Sequence, residues 1–270
     1  MTKQAESAAH YVAVEAEKLR KLHVAGDPLI LANVWDPTSA RVVESAGMLA
    51  IGTSSNALAP VNGYEDHGHL PADVAFGALR RIADAVKLPV TADLEDGYGL
   101  SPEEFVDRLA RAGACGANIE DTDHRVGALV DADRHAERIA AIKAAARARG
   151  FDPVINARVD VHFHKGTVED GLRRARKYFD AGADCVFPIF LLDVSAIQEY
   201  VALGPTNILY RPESVALSEL RKLGVARISV ASFLFRLLMK RLRVVTDALR
   251  SFDDKGLGPE WQSDLLELRL

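Results

Sequence analysis

Four times along the chain an amphipathic stretch ends in glycine and gives way at once to an apolar run. The four are ESAGMLAIGT at Gly47, ARAGACGANIED at Gly113, FDAGADCVFPIF at Gly182 and RKLGVARISVAS at Gly224. Glycine just past a helix suits a left-handed C-cap. The unbroken apolar run after it suits a strand buried on both faces, as in a parallel sheet. Eight runs read this way: Leu29–Asp36, Met48–Ser55, Pro89–Asp96, Ala117–Asp121, Pro153–Asp160, Cys185–Phe190, Asn207–Pro212 and Arg227–Ser232. Helical periodicity fills the gaps, with start signals at Asp36-Pro37, at Ser101-Pro102 with Glu104 following, and at Thr167. Eight alternating units predict a (β/α)8 TIM barrel, α/β in class. An open doubly wound sheet is the rival, but no G-x-G-x-x-G follows a strand. We expect one domain over 1–270, with an extra N-terminal helix in 1–25 and a C-terminal helical tail over 233–270.

The 270 residues are 49% hydrophobic and 26% charged, ordinary for a globular chain with a sizeable core. The net charge is −5 with both signs dispersed, which speaks against a nucleic-acid or anionic-membrane surface. Cys115 and Cys185 are too few for a disulfide framework and read as reduced core residues. No signal-peptide pattern or membrane-length apolar run is present, so the expectation is a cytoplasmic protein.

Barrel active sites lie at the C-terminal ends of the strands, and polar residues gather there. They include Asn33, Trp35 and Asp36; Thr53 to Asn56; Asp93, Glu95 and Asp96; Glu120 and Asp121; Asn156, Arg158 and Asp160; and Tyr210 and Arg211. Helix capping accounts for Asp36, and capping or turn formation is the reading for Asp121 and Asp160. It does not account for Arg158, set in an apolar strand where an unpaired cation is costly. Strand alternation puts Asp93 and Glu95 on one face, with Leu94 and Asp96 on the other. Glu120 ends the next strand. Three inward carboxylates call for a cation, and oxygen ligands select a hard ion, Mg²⁺ with Mn²⁺ as the alternative. The bland alternative is a solvated loop tip at Glu95 and Asp96.

GTSSNALAPVNGYEDHG, TADLEDGYG, NIED and NARVD, in that order, resemble the isocitrate lyase/phosphoenolpyruvate mutase superfamily over roughly Leu29 to Ser232. The resemblance implies a (β/α)8 barrel and a homodimer or homotetramer, often with the last helix exchanged between subunits. It implies Mg²⁺ at the strand ends and a small 2-oxo or 2-hydroxy carboxylate substrate passing through an enolate. By position, Asp93 is then the direct metal ligand. Glu95 and Glu120 hold metal-bound waters, and Asp66 is the further acid beside them. Ser54 and Ser55 bind the substrate carboxylate with Asn56 alongside, and Arg158 neutralises developing charge. Two departures stand out. Glu95 occupies a position more often Asp. The segment after Glu120, DTDHRVGALVDADRH, lacks both the lyase K-K-C-G-H loop and the mutase Lys-Thr-Asn-Ser-type residues. What it offers as general acid/base is His124.

Arg211 reads either as an anion contact or as an ion-pair partner of Glu213. Of His162 and His164, one reads as a substrate or network contact and the other as solvated, and Lys165 reads as a surface residue. The leading expectation is Mg²⁺-dependent carbon–carbon cleavage or decarboxylation. Phosphonomutase-type carbon–phosphorus chemistry comes next, then a non-catalytic dicarboxylate-binding barrel.

Overall fold

A computed structural model describes residues 3–262. The opening helix α1 (Lys3–Lys21) buries Val12, Ala16 and Leu19 along one face. Leu19 presses so close to Gly116 that a β-carbon there would lie 2.9 Å from it. Next come β1 (Leu29–Leu31), β2 (Asn33–Val34), α2 (Pro37–Ser45), β3 (Ile51–Thr53), α3 (Ser55–Val61), α4 (Ala72–Ala83), β4 (Val90–Asp93), α5 (Pro102–Arg111) and β5 (Gly116–Glu120). A small hairpin follows, β6 (Thr122–Asp123) against β7 (Ala128–Leu129), antiparallel. Then α6 (Ala132–Arg147), β8 (Val154–Val159), α7 (Val168–Asp180), β9 (Cys185–Pro188), α8 (Val194–Val201), β10 (Asn207–Leu209), α9 (Leu217–Lys222), β11 (Arg227–Ser229) and α10 (Phe233–Arg250) complete the alternation. Two short 3₁₀ turns lie at Asp254–Leu257 and Pro259–Gln262. Of the expected C-terminal tail, residues 263–270 lie outside the described part.

Among the described residues, all pairings between named strands outside the hairpin are parallel. One ladder runs β2-β3-β4-β5-β8-β9 and the other β1-β11-β10. Two seams join them into a barrel. The first expected strand divides at Ala32, because its first half bonds β11 and its second half bonds β3. On the far side Val186 bridges Thr206 in parallel. One apolar cluster extends from Val12 to Ile228 between the sheet and the helices.

The local signals act as their chemistry requires. Gly47, Gly113, Gly182 and Gly224 all take positive φ, between 78° and 98°. Asp36 accepts from Ser39 N at 2.6 Å in a reciprocal capping box, a device worth about 1 kcal/mol. Ser101 and Thr167 cap α5 and α7. Glu104 turns to Arg108 instead of closing the expected box. Asp121 and Asp160 depart from the capping expectation. Both are fully buried and bound to cations, Asp121 to Arg174 and Asp160 to Arg158. No helix among the described residues is long and apolar enough to cross a membrane.

Candidate active site

The strand register builds the site. Glu120 pairs directly with Arg158, and Asp93 with Asn118. Beneath the mouth the barrel interior is polar. Asn118 Oδ1 accepts from Asn156 at 2.8 Å and from buried Arg227 at 3.1 Å. Above this layer a cavity of about 270 Å³ opens, into which Ser54, Ser55, Asn56, Asp66, Asp93, Glu95, Glu120, His124 and Arg158 all face.

Asp93 and Glu95 reach it by different means. β4 ends at Asp93, so pleating does not carry Glu95 inward. Glu95 instead takes φ of +51°, a left-handed turn residue. Leu94 is buried in the core, and Asp96 accepts from Tyr98 N at 2.8 Å to close the turn. Asp93 Oδ2 accepts from Ser55 N at 2.9 Å and from Ser55 Oγ at 2.8 Å. Ser55 thus orients the carboxylate, while Ser54 Oγ is buried without a hydrogen-bond partner. Asn56 donates to Asp66 Oδ2 at 2.7 Å and accepts from Arg236 at 3.1 Å.

Arg158 is clamped. Asp160 accepts from its Nε at 2.5 Å and its Nη2 at 3.0 Å, and Glu120 accepts from Nη1. Burial alone would lower its pKa, but these carboxylates hold it well above the usual range. Thr122 and Asp121 fix Asp160 in turn, the first through Oγ at 2.5 Å and the second by accepting Asp160 N at 2.7 Å.

The remaining charge balance is negative. Glu95 is buried with only weak partners, the Gly68 backbone N–H and His124 3.9 Å away, and Oδ1 of Asp66 is buried with no hydrogen-bond partner. Burial, reinforced by Asp66 and Asp93 and opposed by His124, raises Glu95 to about 7. Burial also raises Glu120, against the pull of Arg158 and His124. His124 sits on the β6–β7 turn with Nε2 2.8 Å from Glu120 and 3.9 Å from Glu95. Burial disfavours its charged form, yet its bond to Glu120 and the two carboxylate charges push its pKa up. Among the described residues no three Asp, Glu, His or Cys side chains converge to cage a metal directly. The donor set fits a hard, hydrated cation: Asp93 Oδ1, held only by a long 3.5 Å contact from Asn118, would meet it directly, and Glu95, Glu120 and Asp66 would hold its waters.

Arg211 does not line the cavity. Its Nε lies 3.2 Å from Glu213 and its guanidinium lies over the Phe190 ring. His162 Nε2 meets Tyr200 OH at 3.1 Å, His164 Nε2 meets Thr122 at 3.0 Å, and Lys165 is exposed. Sequence reasoning missed His67, whose ring lies 5.6 Å from that of His124, and Arg236, one turn into α10. It also missed an apolar wall of Phe163, Ile189, Phe190, Leu209 and Phe233. His67 sits in the same GYEDHG stretch as Asp66. Nothing in the amphipathic pattern of α10 distinguishes Arg236.

Residues 19–250 match the family model described as phosphoenolpyruvate phosphomutase. A solved structure from Burkholderia cenocepacia J2315, provisionally described as a phosphonomutase, is 41% identical with a TM-score of 0.81. The match covers 86% of this chain and 99% of that one. The 2-methylisocitrate lyase of Salmonella typhimurium (strain LT2) is 33% identical over 196 residues, 68% of this chain and 65% of the lyase. A phosphonopyruvate hydrolase solved with oxalate and Mg²⁺ shares the fold at 22% identity and TM-score 0.80, over 94% and 93% of the two chains.

Proposed function

The chain belongs to the phosphoenolpyruvate phosphomutase family, within the isocitrate lyase/phosphoenolpyruvate mutase superfamily, and from that premise we propose a Mg²⁺-dependent lyase acting on a small 2-oxo or 2-hydroxy carboxylate. Carbon–carbon cleavage or decarboxylation is the favoured reaction. The observation that carries this reading is the buried, weakly partnered Glu95, which lines one cavity with Asp93, Asp66 and Arg158.

Asp93 would hold the ion directly, with Glu95, Glu120 and Asp66 on its waters. When bound, Mg²⁺ supplies a Lewis-acidic counter-charge for the oxo-acid head. The chain's own groups do the rest. Ser54 offers an unspent hydroxyl to the substrate carboxylate, and Ser55 keeps Asp93 aimed. Arg158, immobilised by Asp160, presents fixed positive charge where the enolate develops, at no cost of reorganisation. In decarboxylation the C3–C4 bond breaks, CO₂ leaves, and the electron pair moves onto the enolate. His124, positively charged beside Glu120, would deliver the proton to C3. This route asks least of the missing loop residues, because loss of CO₂ creates the enolate directly.

Phosphonomutase chemistry is the second reading, supported by the family model and the Burkholderia structure. Pyruvate release from oxaloacetate, compared with turnover of phosphonopyruvate, with and without Mg²⁺, separates the two. Asp93→Ala is expected to remove all Mg²⁺-dependent turnover, a loss of at least ~10³-fold in kcat/KM, on the order of 4 kcal/mol. Activity that survives in this variant refutes the metal assignment. Oxalate binding without turnover across 2-oxo and 2-hydroxy acids would identify a non-catalytic binding barrel.

A further inference from the structure

The cavity has two unlike halves. The acid-binding half holds the carboxylates, Arg158 and the serines. The opposite wall is Phe163, Ile189, Phe190, Leu209 and Phe233. These are not spill-over from the main core. Phe187, Ile189 and Leu209 form a separate buried cluster, with Ala231 and Phe233 packed against it at the ends of β9, β10 and β11. Above it Phe163 and Phe190 are 45% and 38% exposed, their rings 5.9 Å apart and tilted by 33°. Phe190 holds φ of +63°, a costly conformation for a bulky aromatic, and such strain gathers at ligand sites.

A distal carboxylate would find little on this wall. Arg211 is paired with Glu213 beyond the Phe190 ring. Arg236 is bonded to Asn56 and Ser232. At about 270 Å³ the cavity has room for roughly nine waters, more than an oxalate-sized head fills.

Resting on the oxo-acid reading above, we propose that this wall receives an apolar arm, alkyl or aryl, carried by the substrate beyond its 2-oxo acid head. Phe190 and Ile189 are the residues that select it. Each buried methylene is worth roughly a fourfold gain in affinity, so a branched four-carbon arm should bind at least about tenfold tighter than a methyl group.

The test is calorimetric titration of the full chain with Mg²⁺ present. The probes are oxalate, pyruvate, 4-methyl-2-oxopentanoate and 2-oxoglutarate, the last two having main chains of equal length. The expected result is oxalate binding, with 4-methyl-2-oxopentanoate at least about tenfold tighter than both pyruvate and 2-oxoglutarate. Phe190→Ala should bring that ratio close to one. Ile189→Asn, which keeps the aromatic pair, should also lower it. Oxalate binding with equal or tighter binding of 2-oxoglutarate overturns the proposal and leaves the oxo-acid reading standing. So does a ratio that neither variant moves. Failure of oxalate to bind overturns the oxo-acid reading, and the proposal with it.

Discussion

Glu95 concentrates the electrostatics of the site in one side chain. Its carboxylate is buried, only weakly partnered and pushed up to about 7, chiefly by burial. A raised carboxylate pKa means that the folded chain binds the proton more tightly than the unfolded chain. Its contribution therefore favours folding at low pH and is lost as pH rises from 4.5 to about 7. Metal-free protein should accordingly gain stability on Glu95→Gln, on the order of 3 kcal/mol at pH 8 and little at pH 5. The same variant should lose most of the Mg²⁺-induced rise in Tm. Thermal unfolding at the two pH values, with and without Mg²⁺, checks both, and a variant no more stable than the parent at pH 8 counts against the argument. At this scale the acidic residues were legible, because carboxylates crowded into a barrel mouth repel one another unless a cation joins them. The means by which Glu95 enters the cavity was not. Alternation gives the right side for it, but β4 stops at Asp93 and a left-handed residue completes the placement. The apolar wall was hidden for a simpler reason: Ile189 and Phe190 look the same in sequence whether they fill a core or face a ligand.

Among the described elements, α10 carries the largest set of exposed apolar side chains. Leu237, Leu238, Leu242 and Leu249 are each more than half exposed. Leu234, Leu237 and Leu238 also border an apolar groove with Trp35, Val42 and Val43 of the first βα unit. A monomer would leave this face in water, so we propose a homodimer or homotetramer that covers it, burial being worth about 2 kcal/mol per leucine. Leu238→Glu combined with Leu242→Glu should shift the protein to a smaller species in light scattering after gel filtration. A monodisperse wild-type monomer of 29.3 kDa would refute the idea. The amphipathic pattern of this helix was plain in the sequence, but pattern alone does not say which of two apolar faces meets its own barrel. The β6–β7 hairpin was not legible at all, since two-residue strands leave no periodicity to read.

For the molecule as a whole, the barrel followed from the repeated helix-glycine-strand pattern, because each unit carries its own cap and its own doubly buried run. Its polar interior did not follow, because Asn118, Asn156, Asn207 and Arg227 find their partners across strands distant in sequence. Buried ionisable groups also set how the fold responds to acid. His135 is buried against Tyr178, and burial, with Arg138 and Arg174 adding repulsion, lowers it to about 3. It stays neutral in the fold while the unfolded chain protonates below 6.5, so its contribution falls as pH drops from 6.5 towards 3. Glu95 slopes the other way over part of that range, and the two offset each other. Replacing the imidazole exposes the balance. Between pH 7 and pH 5, His135→Gln should remove about 2 kcal/mol of acid destabilisation, read from urea midpoints at the two pH values. Equal slopes in variant and parent would exclude the histidine as the cause. The segment after Glu120 folds back on itself within eight residues, from Thr122 to Leu129. Ligand binding therefore has little chain entropy to remove there, and this hairpin is too short to serve as a long flap over the cavity. So short a segment suits a reaction whose carbanion is protonated on the spot by a group such as His124, and it handicaps one that must shelter a reactive group on its way to a second acceptor in competition with water.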